Sequence, residues 1–210
     1  MKTQRIEPER LREVVATLVH NGGIGFLDPG APWRLPMRLN FASRESRYGV
    51  LAGRHLGMVG EVIHDTHADL CRGCEAVVEL MHQGHPPYWG DESGSPLAVA
   101  VAWKCPKLTS FGYHALKEHL ASGQRRRRVL IVGMSCDPDP MSKAVANLGA
   151  QIEVVGAASF VGNGKVQLPN GRPWNSVFSS RKALLRFCLA ENMVPRKYRG
   201  IVVNYLDHTH

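Results

Sequence analysis

No apolar run in this sequence approaches the roughly 20 residues that a membrane-spanning helix needs, so no span is expected. The opening residues, Met-Lys-Thr-Gln-Arg-Ile-Glu-Pro, hold no apolar core of a secretory signal. A soluble cytoplasmic protein is the default expectation. No internal repeat is visible, and nothing points to a solenoid or propeller. Cysteine is scarce and odd in number, with five at Cys71, Cys74, Cys105, Cys136 and Cys188. Several fall inside expected elements, which reads as reduced thiols and excludes a disulfide framework. Acidic residues are the poorer charge, 18 against 26 Lys and Arg, leaving a net charge of +8. Part of that excess is the run Arg125 to Arg128. Such a run can contact nucleic acid or another polyanion, or it can be a solvated turn that guards a sheet edge.

What is present suits one core. A chain of 210 residues is short for two full domains, and 44% hydrophobic content is ordinary for a globular protein. The expected division is an N-terminal helix and extension over residues 1–58 and an α/β core over 59–210, forming a single compact unit. Leu11, Val14, Val15, Leu18 and Val19 repeat at helical spacing, which predicts a helix over residues 7–20 with Pro8 near its start and Asn21-Gly-Gly at its end. Alternation at Trp33, Leu35, Met37, Leu39 and Phe41 predicts one edge strand that tolerates Pro36. A helix over 46–58, a strand over Val59–Ile63 and a helix over Cys74–Gln83 stopped by Gly84 are expected next. Residues 84–96 are turn-rich, with Tyr88-Trp89 set to close over a pocket or to pack back on the domain. Ser179 or Ser180 can cap a helix that runs through Asn192. Gly200–Leu206 reads as a final strand and Asp207-His-Thr-His as a frayed tail.

The most informative stretch begins at Arg128. Val129-Leu-Ile-Val132 suits a strand buried on both faces, Gly133–Pro140 a loop, Met141–Ala150 a short helix stopped at Gly149, and Gln151–Ala158 a second strand. This is half of a parallel α/β sheet. Ligands of such sheets sit outside the carboxyl ends of the strands, so the loop after Val132 is where chemistry is expected.

The order of residues resembles the type I phosphoribosyltransferases, most closely the orotate phosphoribosyltransferase branch. The resemblance is carried by the strand Leu97–Trp103, the lysines of Lys104-Cys-Pro-Lys107, Phe111-Gly112 with His114 and Lys117, the spacing to Val129, and Leu148–Ala158. It is firm over residues 97–165 and looser back to residue 7. It implies an α/β fold with a parallel sheet and helices on both faces, plus a small hood-like N-terminal region. It also implies a phosphoribosyl pyrophosphate ligand and a dimeric habit. Lys104, Lys107 and His114 would then carry pyrophosphate charge as the catalytic set, with cations near the leaving group contributing most. Arg72 and Gly73, by position, would meet the pyrophosphate.

The departure lies at the centre of the resemblance. The family carries two adjacent acids after the strand and then a loop of backbone donors and hydroxyls around the 5′-phosphate. Here Gly133 and Met134 stand for the acids and Asp137-Pro138-Asp139-Pro140 for the cradle. Proline donates no N–H, and each carboxylate facing a phosphate would repel it by on the order of a kcal/mol. Asp137 and Asp139 can also take over the missing acids by a register shift, through a magnesium ion. The plainer alternative is a rigid turn in which Asp139 caps the next helix and Pro140 takes its first position.

A second constellation is His64-Asp-Thr-His67-Ala-Asp-Leu-Cys71-Arg-Gly-Cys74. His64, His67, Cys71 and Cys74 are the ligand types of tetrahedral zinc, in a spacing that matches no finger or ribbon. Cys71-x-x-Cys74 opening a helix also resembles a thioredoxin-like redox pair, without the order of elements that should follow. His64-Asp65 is reminiscent of HD phosphohydrolases, which are all-helical, whereas the strand-rich stretch 97–158 is not. Three functions follow as expectations. The first is a binding, regulatory or assembly protein on a phosphoribosyltransferase fold that has lost its transfer chemistry, with a phosphorylated small molecule, a protein or nucleic acid as partner. The second is an active enzyme joining a nitrogenous base to phosphoribosyl pyrophosphate. The third is a zinc or thiol protein centred on Cys71 and Cys74.

Overall fold

Val129, Leu130, Ile131 and Val132 are each 0% exposed, so successive side chains pointing to opposite faces of one strand are all covered. A computed structural model describes residues 7–39, 53–72, 74, 76–82, 97–104, 107–108, 127–135, 152–164, 167–168 and 170–208. Its elements are α1 (Pro8–His20), β1 (Ile24–Phe26), β2 (Met37–Leu39), α2 (Gly53–Thr66), α3 (Ala68–Arg72), β3 (Ala76–His82), β4 (Leu97–Lys104), β5 (Lys107–Leu108), β6 (Arg127–Ser135), β7 (Ile152–Val161), β8 (Trp174–Phe178), α4 (Arg181–Ala190) and α5 (Arg196–His208).

The main sheet has the order β5-β4-β3-β6-β7-β8, and β1 and β2 form a separate antiparallel pair. Strands β4, β3, β6, β7 and β8 run parallel, and only the short β5 is antiparallel, folded back on the end of β4. Counting the parallel strands alone, chain order across the sheet is second, first, third, fourth, fifth. The order therefore reverses between β3 and β6. One face of β6 and β7 packs Leu130, Val132, Ala158 and Phe160 into a core shared with Val15 and Leu18 of α1, Val59 and Ile63 of α2, Leu184 and Leu185 of α4 and Val202 of α5. Val129, Ile131, Ala157 and Trp174 are also buried but stand outside that cluster, on the opposite face. There the Trp174 Nε1–H donates to Oγ of the fully buried Ser159 at 3.1 Å, which satisfies both polar groups.

The expected α1 and β4 are found, and β7 and α4 differ only at their ends. Ser180 is the cap of α4, its side chain accepting from the Ala183 N–H at 3.1 Å. Four readings need correction. The strand expected over Val59–Ile63 is part of α2, because Val59, Val62 and Ile63 stand at helical spacing and all three are fully buried. The division expected at residue 58 thus falls inside a helix. The helix expected over Cys74–Gln83 is strand β3 over Ala76–His82, paired on both sides by β4 and β6. Pairing in the sheet interior outweighs the helix preference of Glu79, Leu80 and Met81. The final strand expected over Gly200–Leu206 is α5: Tyr198, Val202, Tyr205 and Leu206 pack on the core at helical spacing, while Val203 is 43% exposed. Asp207 and His208, expected to fray, belong to that helix. Lastly, of the alternation from Trp33 to Phe41, Met37–Leu39 is the part that forms strand among the described residues, Phe41 lies outside them, and Trp33 is 72% exposed in the turn before the strand. Strand β8 had no counterpart in the sequence reading. The expected helices over 46–58 and 141–150 fall in part and wholly outside the described residues.

One buried group is unsatisfied. His67, between α2 and α3, is 8% exposed, and its Nε2 has no hydrogen-bond partner among the described residues. Burial disfavours its charged form and lowers its pKa to about 4. The unfolded chain takes up this proton near pH 6.5 and the folded chain only near 4. The neutral imidazole's contribution is therefore complete above pH 6.5 and is lost as pH falls through the window to 4, by up to about 3 kcal/mol.

Two sets of stability measurements check this account. In urea denaturation, Ser180→Ala should lower the unfolding free energy by about 1 kcal/mol through loss of the cap. Gly162→Val should cost about 1–3 kcal/mol, since a Cβ there would lie 2.5 Å from Ser176 Oγ and 3.0 Å from the Ser179 carbonyl oxygen. Across pH 4–7, His67→Leu should flatten the dependence of stability on pH. A slope unchanged by that substitution would assign the titration to another group.

Candidate ligand site

Because five strands run parallel, their carboxyl ends lie along one edge of the sheet, and the order reverses between β3 and β6, the position at which sheets of this kind place their ligand crevice. The crevice is bordered by the last residues of β3, Leu80–His82, and of β6, Gly133–Ser135. Strand β6 continues three residues past Val132, so the loop starts later than the sequence suggested, and Gly133 is buried within the strand. Farther along the same edge β4 ends at Lys104, and the antiparallel return of β5 sets Lys107 directly opposite it. In that register the two lysines occupy one cross-strand pair. From β6 to β4 is two strand spacings, about 10 Å. On the other side β7 ends in the turn Gly162-Asn163-Gly164. The N–H groups of Gly162 and Gly164 in that turn donate to the carbonyls of Phe178 and Ser179 at 2.8 Å each.

The residues singled out in the sequence divide by edge. Lys104 and Lys107 are brought together at the carboxyl edge. Asp137 and Asp139 follow the end of β6 by two and four residues and, with His114 and Gly73, lie outside the described residues. Arg72 is at the opposite edge, because α3 ends there and leads into the amino end of β3. A strand of seven residues separates it from the crevice, about 23 Å at roughly 3.3 Å per residue. Taking Cys74–Gln83 for a helix displaced the frame by one element. At the carboxyl edge β3 ends at His82. The signal was available: Ala76-Val-Val-Glu-Leu-Met is a short, mostly apolar run between Gly73 and Gly84, which suits a buried strand.

Of the second constellation, the structure describes the side chains of His64, His67 and Cys74. Among the described residues no three His, Cys, Asp or Glu are grouped so as to hold a metal ion. His64 Nδ1 lies 3.3 Å from Asp65 Oδ1, while His67 is buried in the α2–α3 junction. Cys71 stands in α3, ahead of a strand and not at the opening of a helix, which removes the helix N-terminus that lowers a thiol pKa in a redox pair. Burial pushes the Cys74 thiol up to about 11, so at neutral pH it is protonated and a poor nucleophile. Burial raises the thiol of Cys188, on the buried face of α4, to about 12. Of the arginine run, Arg127 and Arg128 open β6 at the amino edge. Among the described residues, no helix is long and apolar enough to cross a membrane.

No family model and no curated protein matches the sequence. Two solved structures are similar in fold. UMP synthase of Leishmania donovani aligns with a TM-score of 0.58 at 15% identity, over 93% of this chain and 42% of its own length. A phosphoribosyltransferase from Corynebacterium diphtheriae aligns with a TM-score of 0.51 at 18% identity, over 79% of this chain and 94% of its own. This chain thus spans less than half of the UMP synthase. At such identities the likeness speaks of backbone arrangement and not of shared chemistry. With the parallel sheet, its reversal between β3 and β6 and the helices packed on it, the chain has the type I phosphoribosyltransferase-like fold.

Proposed function

We propose that this protein binds a phosphorylated small molecule at the carboxyl edge of its sheet, in a binding or regulatory role, and has lost phosphoribosyl transfer. The observation that carries the reading is the end of β6. The strand closes on Gly133-Met134-Ser135, where the resemblance leads one to expect two acids to hold the ribose hydroxyls. Without them a sugar diphosphate loses two charged hydrogen-bond acceptors, each worth about 1.5–3 kcal/mol. The Lys104–Lys107 pair supports retention of an anion, since such a pair is unfavourable unless negative charge is brought to it.

One observation favours the active alternative. Since β6 extends to Ser135, Asp137 follows the strand's last residue by two positions in the sequence, rather than standing four residues into a loop that starts at Gly133. In that reading Asp137 and Asp139 hold magnesium, which would neutralise the pyrophosphate charge, and Lys104, Lys107 and His114 take the rest.

Calorimetric titration with inorganic pyrophosphate and with phosphoribosyl pyrophosphate, each with and without magnesium, decides between them. The proposed reading expects pyrophosphate to bind, Lys104→Gln to weaken it about tenfold, equivalent to about 1.4 kcal/mol, and no nucleotide to form with any nitrogenous base. Magnesium-dependent transfer that disappears in Asp137→Asn would establish the enzyme instead. Absence of heat with either anion at millimolar concentration would remove the ligand from the proposal.

A further inference from the structure

Charge in the helix layer is segregated. Residues 7–20 and 53–66, which hold α1 and α2, contain five acids and three arginines. Residues 181–208, which hold α4 and α5, contain four arginines, two lysines and two acids. Neither of those two acids offsets the cations. Glu191 is bound to Arg12 of α1 at 3.1 Å, and Asp207 stands about 16 Å along α5 from Arg196.

One of the six cations serves the structure. Arg199 donates from Nε to the Val194 carbonyl oxygen at 3.2 Å and from Nη2 to Asn192 Oδ1 at 3.3 Å. The Met193 N–H closes on the Cys188 carbonyl oxygen at 2.8 Å, so α4 and α5 are held as one helical hairpin. The other five, Arg181, Lys182, Arg186, Arg196 and Lys197, meet no acid among the described residues. Lys197 lies 4.7 Å over the ring of Tyr198, which leaves its charge in place. Lys182 is half-buried and the other four are exposed. Because Leu184, Leu185 and Cys188 form the buried stripe of α4, Lys182 and Arg186 stand one turn apart, about 6 Å, on its solvent side.

Charges of one sign gathered on one side repel each other, and solubility does not require them, since interspersed signs supply it. Three kinds of partner carry enough negative charge: an acidic protein, an anionic membrane and a nucleic acid. Apart from Val203, no large hydrophobic side chain of α4 or α5 is exposed. The face therefore offers no anchor for the apolar centre of a protein interface or for insertion among lipids. A phosphate backbone needs only cations. Single strands also use aromatic rings on which their bases stack, whereas Phe187, Tyr198 and Tyr205 pack on the core. A duplex keeps its bases stacked inside and its phosphates outward.

We infer that the α4–α5 hairpin is a binding surface for the phosphate backbone of duplex DNA, carried by Arg181, Lys182, Arg186, Arg196 and Lys197 without base readout. The acid-rich α1–α2 side repels the same polyanion and orients it onto the hairpin. Lys104 and Lys107, at the exit of β4, are four strand spacings, about 19 Å, from β8, which leads into α4. A small anion held there and a duplex on the hairpin do not exclude each other.

The test is fluorescence anisotropy of a labelled DNA duplex of about 20 base pairs, titrated with the full chain over a salt series. Five phosphate contacts predict a slope of log K against log salt of about −4.5. The double variants Lys182→Gln/Arg186→Gln and Arg196→Gln/Lys197→Gln should each bring it to about −2.7, with circular dichroism and urea midpoints showing that they are folded. Pyrophosphate at constant ionic strength should leave the duplex bound. The inference is overturned by no binding at about 50 mM salt, by a slope that neither folded variant changes, or by displacement with pyrophosphate, which would place the contact in the crevice. Tighter binding of a single strand, or of a polyglutamate peptide of the same charge, would equally overturn it. The pyrophosphate titration of the crevice stands or falls independently of these outcomes.

Discussion

Strand β6 is the constraint on which the rest of the molecule depends. It is hydrogen-bonded by β3 on one side and β7 on the other, and Val129 to Val132 are covered on both faces. Such a strand cannot face water on either side, so layers must lie above and below it. The described layer consists of α1, α2, α4 and α5, whose buried residues converge on Leu130, Val132 and Phe160. At about 25 cal/mol per Å² of apolar surface buried, this convergence is the main favourable term, and the surface ion pairs of Arg10 with Glu61 and Asp65 between α1 and α2 add little. The one irregularity is a bulge in β7 opposite Val129 and Leu130, which lets Val155 join the shared core beside its neighbours.

The parallel arrangement also separates the charged groups of the two edges. Every parallel strand presents its start at one edge and its end at the other, so residues adjacent in sequence at a strand entry cannot share a site with those at an exit. Arg72 and Lys104 illustrate this: both are cations that the sequence offered to one anion, and the sheet assigns them to opposite edges. The same rule places Arg128 and Glu153, paired in register at the entries of β6 and β7, away from the crevice. Topology, more than residue type, decides which charges act together.

How much was legible follows from the kind of signal each element carried. The helix α1 announced itself through five apolar positions at helical spacing, and α4 through Ser180 and a stripe that includes Leu184, Leu185 and Cys188. Strands β4, β6 and β7 were legible as branched apolar runs. The failures were short apolar runs whose period is ambiguous until partners are known. Val59, Val62 and Ile63 fit either element, Ala76–His82 contains good helix formers, and Ile201-Val202-Val203 is rich in β-branched residues yet helical. Strand β8 was missed because Trp174-Asn-Ser-Val-Phe178 has only its two ends buried and takes its identity from pairing with β7. Of the candidate site, Lys104 and Lys107 were named from the resemblance. Their facing register came only from the sheet, and the position of Arg72 was lost with the misread β3.

Retention of the fold at low sequence identity has a physical basis in this separation. The core is built from strand interiors and helix faces, whereas sheets of this kind hold their ligands at and beyond the strand exits, so a change there need not disturb the core. Gly133 can occupy the end of β6 because the strand there is held by pairing to Leu80 and Ser159, not by its side chain. An acid at that position would need water or a cation to compensate its burial, and the glycine needs neither. A scaffold of this kind is free to exchange the ligand at its crevice while its sheet order persists. That is how a chain with 15% and 18% identity to UMP synthase and to a phosphoribosyltransferase keeps their backbone arrangement.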